Sequence, residues 1–311
     1  MLDTAPSPDS GASGLPVGLY APYISADNNF TSQITGIGVS FTQQLAKNLL
    51  HEGVDWRPSG LMTRKYGEPE QWHADAGWIK PAALVKACLA QTGVTWRGNC
   101  DVKRLVRDSE DGEVWTALDA ENRTLAQADR VVVAASNQSA DLLNTAATAL
   151  KLNLQAIRGQ VTFGSLDDVE TKLRTTFPIN GHGSYIETND AWLVAATYDR
   201  DNLSLDANVS DQVENFERLE NLVPAIAEQL KPVFMCGEVR NWVGIRCASS
   251  DRLPIVGEVA TGLWVLTALA SRGLTLAPLC AELLASQMSS EEPPLNPRLV
   301  KALSVQRYMK K

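Results

Sequence analysis

The chain has 311 residues, 44% apolar and 21% charged, enough to bury one large core or two interleaved ones. With 28 basic against 36 acidic residues its net charge is -8, a field that repels polyanions, so nucleic acid is not the default partner. No uncharged apolar run is long enough to span a bilayer and residues 1–6 carry no signal-peptide pattern.

In chain order, residues 1–18 are rich in Pro, Gly, Ser and Ala and read as a loop lying against something else. Gly36-Ile37-Gly38 is the nearest approach to a dinucleotide fingerprint. The residues before it make no buried strand and position 41 is Phe, so it reads as ordinary structure. Thr42, Leu45, Ala46 and Leu49 recur at helical spacing, which predicts an amphipathic helix over 39–50 closed by Gly53. Pro81 opens a second helix, with Leu84, Val85, Cys88 and Leu89 inward, that stops at Gly93. Strands at 102–107 and 113–118, joined through Asp111-Gly112, predict a hairpin. The run Val131-Val132-Val133-Ala134-Ala135 predicts a strand buried on both faces of a parallel sheet.

Short β segments at 155–163, 183–187 and 192–198 predict an antiparallel sheet. A helix follows over 211–222, with Ser210 as its N-cap. A buried strand at 263–267 passes through Ala270-Ser271-Arg272-Gly273 into a helix over 275–288. From 298 to 311 there are five basic residues and no acidic one, which reads as a solvated tail. The order implies a fold class of α/β plus α+β: one unit built from both ends of the chain, another inserted, and ligands at their junction.

The five cysteines (Cys88, Cys100, Cys236, Cys247, Cys280) form no CxxC pair and read as reduced thiols of a cytoplasmic protein, mostly filling core. His51, His73 and His182 have no ligand-spaced neighbours, so no metal site is expected. Neither a GxSxG elbow nor a GxxxxGK[ST] loop occurs.

Five strings carry a resemblance. They are Gly11-Ala12-Ser13-Gly14-Leu15, Gly77-Trp78-Ile79-Lys80-Pro81, Ile157-Arg158-Gly159-Gln160-Val161, Gly244-Ile245-Arg246-Cys247-Ala248 with its continuation to Gly257, and Ala270-Ser271-Arg272-Gly273-Leu274-Thr275. Together they resemble the D-amino-acid-oxidase superfamily of FAD enzymes. They are most similar to the oxidoreductase half of the bifunctional tRNA wobble-uridine enzymes of 5-methylaminomethyl-2-thiouridine biosynthesis. The resemblance implies FAD as cofactor and a Rossmann-like FAD/NAD(P)-binding unit over 1–18, 77–151 and 245–311. It implies an antiparallel-sheet substrate unit over 19–76 and 152–244. Met1-Leu2-Asp3 would align with the end of a second strand, so the first βα unit and its GxGxxG turn are expected to be missing, as is the methyltransferase domain. Weak or no flavin retention is expected to follow.

The resemblance also implies roles. Asp3 would accept the ribose hydroxyls, with Ser13, Gly14, Val102 and Ser136 along the cofactor. Arg272, Gly273, Leu274 and Thr275 would open a helix whose free N–H groups face the flavin N1/C2 carbonyl edge. Ser136 and Ala270 stand where the family has glycine. Arg246 would take a substrate carboxylate in a bidentate fork, the alternative being an ion pair with Asp251. Tyr185 and Tyr198 would line the substrate pocket, or else pack as core. The implied reaction removes the carboxymethyl group from carboxymethylaminomethyl(-2-thio)uridine in tRNA, giving aminomethyluridine and glyoxylate. A free glycine or D-amino-acid oxidase and an FAD-deficient inactive homologue are the alternatives.

Overall fold

Ten consecutive cross-strand pairs, from Leu154↔Ser249 to Phe163↔Arg240, join the strands Leu154–Ser165 and Arg240–Ser249 antiparallel. The computed structural model describes residues 1–65, 67–107, 114–146, 150–200 and 202–309. Along its other edge Leu154–Ser165 meets Ala191–Ala195 and then Asp199–Arg200. Gly183–Glu187, Ile179–Gly181, Leu61–Thr63 and Gln71–His73 continue the sheet outward to eight strands.

Strand alternation gives this sheet two unlike faces. Ile157, Gly159, Val161 and Phe163 share one face with Trp242, Gly244 and Arg246; Arg158, Gln160 and Thr162 share the other with Asn241. The second face is covered by helices Val209–Leu222 and Pro224–Cys236, whose Leu219, Ile226, Leu230 and Phe234 pack on Tyr185, Trp192 and Val194. Beneath the same helices Arg158, 1% exposed, pairs with Asp211 and donates to the Ser204 and Asp206 carbonyls. A charge so deep is tolerated because each of its three nitrogens has an acceptor. The first face packs on Val17, Leu19 and Trp78, on and beside the small sheet of Trp56–Arg57, Gly77–Ile79 and Gly18–Tyr20.

In the other half Val131–Val133 runs parallel to Leu263–Thr267, which is antiparallel to Ile255–Ala260. Helix Gly273–Ser289 packs Leu276, Leu279 and Leu283 among Val256 and Trp264 of this layer and Ile34 of helix Phe30–Leu49. The two helices cross closely because position 38 is glycine, where a Cβ would overlap the Thr275 carbonyl oxygen. The first residues of the chain are held in place. Leu2 bridges in parallel to Arg97, the Asp3 N–H donates to the Arg97 carbonyl at 3.0 Å, and the Cys100 N–H donates to the Asp3 carbonyl at 2.8 Å.

Several local expectations are corrected. The helix predicted over 39–50 begins at Phe30, because the Asn29 side chain accepts the Ser32 N–H at 3.1 Å and Phe30, Ile34, Ile37 and Phe41 extend the apolar stripe. Gly36-Ile37-Gly38 is therefore helix interior. The later helix starts at Val209, capped by Asn208 rather than Ser210. The valine strand is parallel as expected, but it is the outer strand of its sheet and Val132 is 42% exposed. A third strand, Thr124–Ala128, joins Arg104–Arg107 and Trp115–Leu118, while the Asp111-Gly112 turn lies outside the described residues. As far as Met309 the basic run is not a solvated tail. Helix Pro297–Leu303 buries Leu299 and Leu303, Arg298 stacks on Phe30, and Arg307 pairs with Asp251 at 2.7 Å.

Candidate active site

The strand Arg240–Ser249 lies against three short 3-10 turns, Gly11–Gly14, Ser136–Gln138 and Ala270–Arg272. Two of them follow Val131–Val133 and Leu263–Thr267. As parallel neighbours these strands end at the same edge of their sheet, the edge where open α/β sheets take ligands. The turns that carry Ser13, Gly14, Ser136 and Arg272 thus come to one strand, with Arg246 on it. Gly14 allows the approach: a Cβ there would lie 3.2 Å from Trp242 Nε1 and 2.7 Å from the Asp9 carbonyl oxygen. The Ser136 carbonyl accepts from Thr267 Oγ1 at 2.9 Å, and Leu269 bridges to Ala248.

Ser136, Ala268 and Ala270 have φ of 54°, 62° and 51°. These are left-handed conformations that glycine adopts freely and other residues adopt at a cost. Ser136 and Ala270 are the two positions where the resemblance expects glycine, so the departure lies in the side chain and not in the backbone path. No side chain caps helix Gly273–Ser289, and a Cβ on Gly273 would meet only Leu269 Cβ, at 3.9 Å. Its first N–H groups thus have no side-chain acceptor, the role an anionic ligand edge fills. Leu274 packs beside Tyr20, and Thr275 Oγ1 accepts the Ala21 N–H at 3.1 Å, so only their backbone can face that ligand. Val102, like Leu2, Val131 and Ala135, packs against the buried cluster that includes Leu105, Val133 and Val265. Asp3 Oδ1 accepts the Ala5 N–H at 2.9 Å, and its Oδ2 has no hydrogen bond among the described residues.

The Arg246 guanidinium is half-buried. It donates from Nη1 to the Thr197 carbonyl at 3.3 Å, and its Cζ stands 5.3 Å from the Tyr198 ring centroid. Among the described residues no carboxylate pairs with it; Asp251 is bound by Arg307 instead. Burial pushes the Arg246 pKa below its usual value, yet a guanidinium stays charged near neutrality. The result is a desolvated cationic fork without a counter-charge among the described residues, the arrangement an anionic ligand satisfies.

Tyr185 does not share that face. It pairs with Val194, which pairs with Thr162, on the helix-covered side of the sheet. It is 0% exposed and its hydroxyl donates to Glu187 Oε1 at 2.9 Å. Burial pushes its pKa far above the usual tyrosine range, and that of Glu187 up as well. The pocket assignment is corrected for Tyr185, because two residues separated by odd register cannot line one side of a sheet.

A family model described as FAD dependent oxidoreductase (DAO) matches residues 67–287. The chain belongs to that family. The oxidoreductase is 38% identical to the "tRNA 5-methylaminomethyl-2-thiouridine biosynthesis bifunctional protein MnmC" of Polaromonas naphthalenivorans (strain CJ2), over 97% of this chain and 55% of that protein. It is 36% identical to the protein of the same name from Albidiferax ferrireducens, over 99% and 54%. The chain spans about half the length of the curated relatives it matches. Its fold is that of glycine oxidase from Geobacillus kaustophilus (TM-score 0.75, 16% identity, 99% of this chain and 92% of that). It also matches iminodiacetate oxidase from Chelativorans sp. BNC1 (TM-score 0.71, 17% identity, 99% and 91%).

FAD is the family's cofactor, and the oxidoreductase's own geometry fits the flavin end of it. Three turns meet on one strand, two of them hold left-handed backbone at non-glycine residues, and the helix that follows one of them starts without a side-chain cap. Thr197 and Trp242 were not anticipated from the sequence. Thr197 contributes a carbonyl, which any residue type has. Trp242 is four residues before Arg246, so strand alternation already places it on the same face.

Proposed function

We propose that this oxidoreductase removes the carboxymethyl group from carboxymethylaminomethyl(-2-thio)uridine at the tRNA wobble position, giving aminomethyluridine and glyoxylate. The observation that carries the reading is Arg246, a cationic fork with no carboxylate partner among the described residues, on the strand where the cofactor turns meet. The group to be removed is a glycine joined through its nitrogen, so its carboxylate is the natural counter-charge. The wording of the relatives' names supports the same modified nucleoside.

Asp3, Ser13, Gly14, Val102, Ser136, Arg272, Gly273, Leu274 and Thr275 would hold FAD, and we assign that unit to 1–18, 77–151 and 245–311. Residues 19–76 and 152–244 form the substrate unit, although helix Phe30–Leu49 packs on Gly273–Ser289. Bound FAD supplies the acceptor for the hydride of the carbon between nitrogen and carboxylate. Arg246 fixes the carboxylate in a bidentate grip, the Thr197 carbonyl orients the guanidinium, and the Tyr198 ring covers it. The neutral amine's lone pair drives hydride loss, so no side-chain base is required. Water then adds to the carbon–nitrogen double bond; its oxygen leaves with glyoxylate and the nitrogen keeps the protons as an amine. The five free cysteines are in keeping with a cytoplasmic setting, and no helix among the described residues is long and apolar enough to cross a membrane.

A free glycine or D-amino-acid oxidase is the second reading. It is favoured by the net charge of -8 and by the internal partners of Arg298 and Arg307. The deciding experiment incubates the purified chain and FAD with tRNA carrying the carboxymethyl group, or with free glycine, and measures glyoxylate. Product from the RNA alone, with binding steeply weakened by salt, supports the first reading. Equal turnover of free glycine supports the second. No product from either, with no flavin retained, overturns both.

A further inference from the structure

We propose that Gly159 is a positioning residue whose missing side chain is the seat of the Arg246 guanidinium. The inference rests on the carboxylate role of Arg246 and deepens it. Gly159 is inside the twelve-residue strand Leu154–Ser165 and is not among the glycines with positive φ, so its backbone would accept any residue. Glycine weakens a strand interior, and where no turn or bulge requires it the reason is a close approach. Here the approach is by Arg246. A Cβ on Gly159 would overlap Nη1 and lie 2.5 Å from Nη2 and 2.7 Å from Cζ.

The register explains the placement. Arg246 pairs with Ile157, and Gly159 pairs with Gly244, so the guanidinium lies over the diagonal neighbour two residues along the partner strand. Both strands are bare at that pair. On Gly244 rests the ring of Trp242, whose Cζ2 would stand 2.7 Å from a Cβ there. The sheet thus has a recess one side chain deep, and it holds the arginine fork against the Thr197 carbonyl. A methyl group at 159 would lift the fork out of it. What has to move is the far end of a flexible side chain and not backbone. The consequence therefore falls on carboxylate recognition and not on the fold.

The test compares Gly159→Ala, Arg246→Ala and the double variant in the FAD-supplemented chain. It reads the dissociation constant of glycolate by titration calorimetry, flavin binding, and the thermal midpoint. Gly159→Ala is expected to weaken glycolate about tenfold or more, the scale of a charged hydrogen bond. Flavin binding and the midpoint should stay near those of the unaltered chain, and the double variant should bind no worse than Arg246→Ala alone. Unchanged glycolate binding in Gly159→Ala, beside a loss in Arg246→Ala, overturns the seat and leaves the carboxylate role standing. Unchanged binding in Arg246→Ala, or none in the unaltered chain, overturns the carboxylate role itself. If Gly159→Ala unfolds, the double variant decides: recovered stability identifies Arg246 as the group met by the methyl, and continued unfolding overturns the proposal.

Discussion

Ser136 and Ala270 hold left-handed backbone at φ 54° and 51° beside the proposed flavin edge. For an L side chain this crowding costs about 1–2 kcal/mol. Exchange to glycine relieves it, offset by roughly 0.5–1 kcal/mol of added freedom in the unfolded chain. Ala270→Gly, which loses only a methyl group, is therefore expected to raise stability by up to about 1 kcal/mol. A urea midpoint that falls would show that the methyl is packed and the strain already relieved. Arg246 belongs to the same scale. Arg246→Ala in the flavin-bound protein should weaken carboxylated substrates by about 1.5–3 kcal/mol and leave uncarboxylated amines unchanged. Arg246→Lys should not restore the loss, because an ammonium cannot make the planar two-point contact. The motif around Arg246 was legible in the sequence; that Asp251, only five residues away, is not its partner was not, because Arg307 claims that carboxylate from the far end of the chain.

Gly36 and Gly38 look alike in the sequence and differ in the helix pair. Gly36 is exposed, with nothing within 4 Å of where a Cβ would stand; at Gly38 a Cβ meets the backbone of Thr275. Thr42 Oγ1 donates to the Leu274 carbonyl at 2.8 Å across the same crossing, so this contact fixes the start of helix Gly273–Ser289. The same substitution is expected to have opposite signs. Gly36→Ala should stabilise by about 0.5–1 kcal/mol through lower chain entropy. Gly38→Ala should destabilise by about 1–3 kcal/mol because backbone cannot yield as a side chain does. Denaturant midpoints check both, and equal effects would show that the helices can part without cost. Tyr185 shows the limit of sequence reading for an element. The run Trp192-Leu193-Val194 is apolar at every position because both faces of its strand are covered. Such a strand carries no alternation to say which residues face the site.

Asp251 and Arg307 join the turn after the Arg246 strand to the C-terminal run, and Arg307 also donates to the Leu253 and Pro254 carbonyls at 3.0 and 2.8 Å. Burial acts to raise the Asp251 pKa, but Arg307, the Leu253 N–H and the Ser249 hydroxyl outweigh it and hold the carboxyl below its usual range. A depressed pKa means stabilisation that is present above the ordinary aspartate value near ~3.9 and lost as pH falls through the folded value. Asp251→Asn should therefore cost about 1 kcal/mol at pH 7, the pair being partly exposed, and the gap should close in strong acid. A gap independent of pH would show that the contact acts through shape alone. At the scale of the molecule, local chemistry in the sequence determined the family strings, the parallel valine strand, the antiparallel sheet and the strand-to-helix passage that ends in Gly273. Each depends on periodicity or turn residues within one segment. Only the tertiary structure decided that Tyr185 faces the helices, that Gly159 lies under Arg246, that three distant turns meet on one strand, and that Arg298 and Arg307 of the basic run have partners inside the fold. Those are matters of register and of contact between residues far apart in the chain. A one-residue slip in pairing would reverse every face while leaving each segment's own pattern intact.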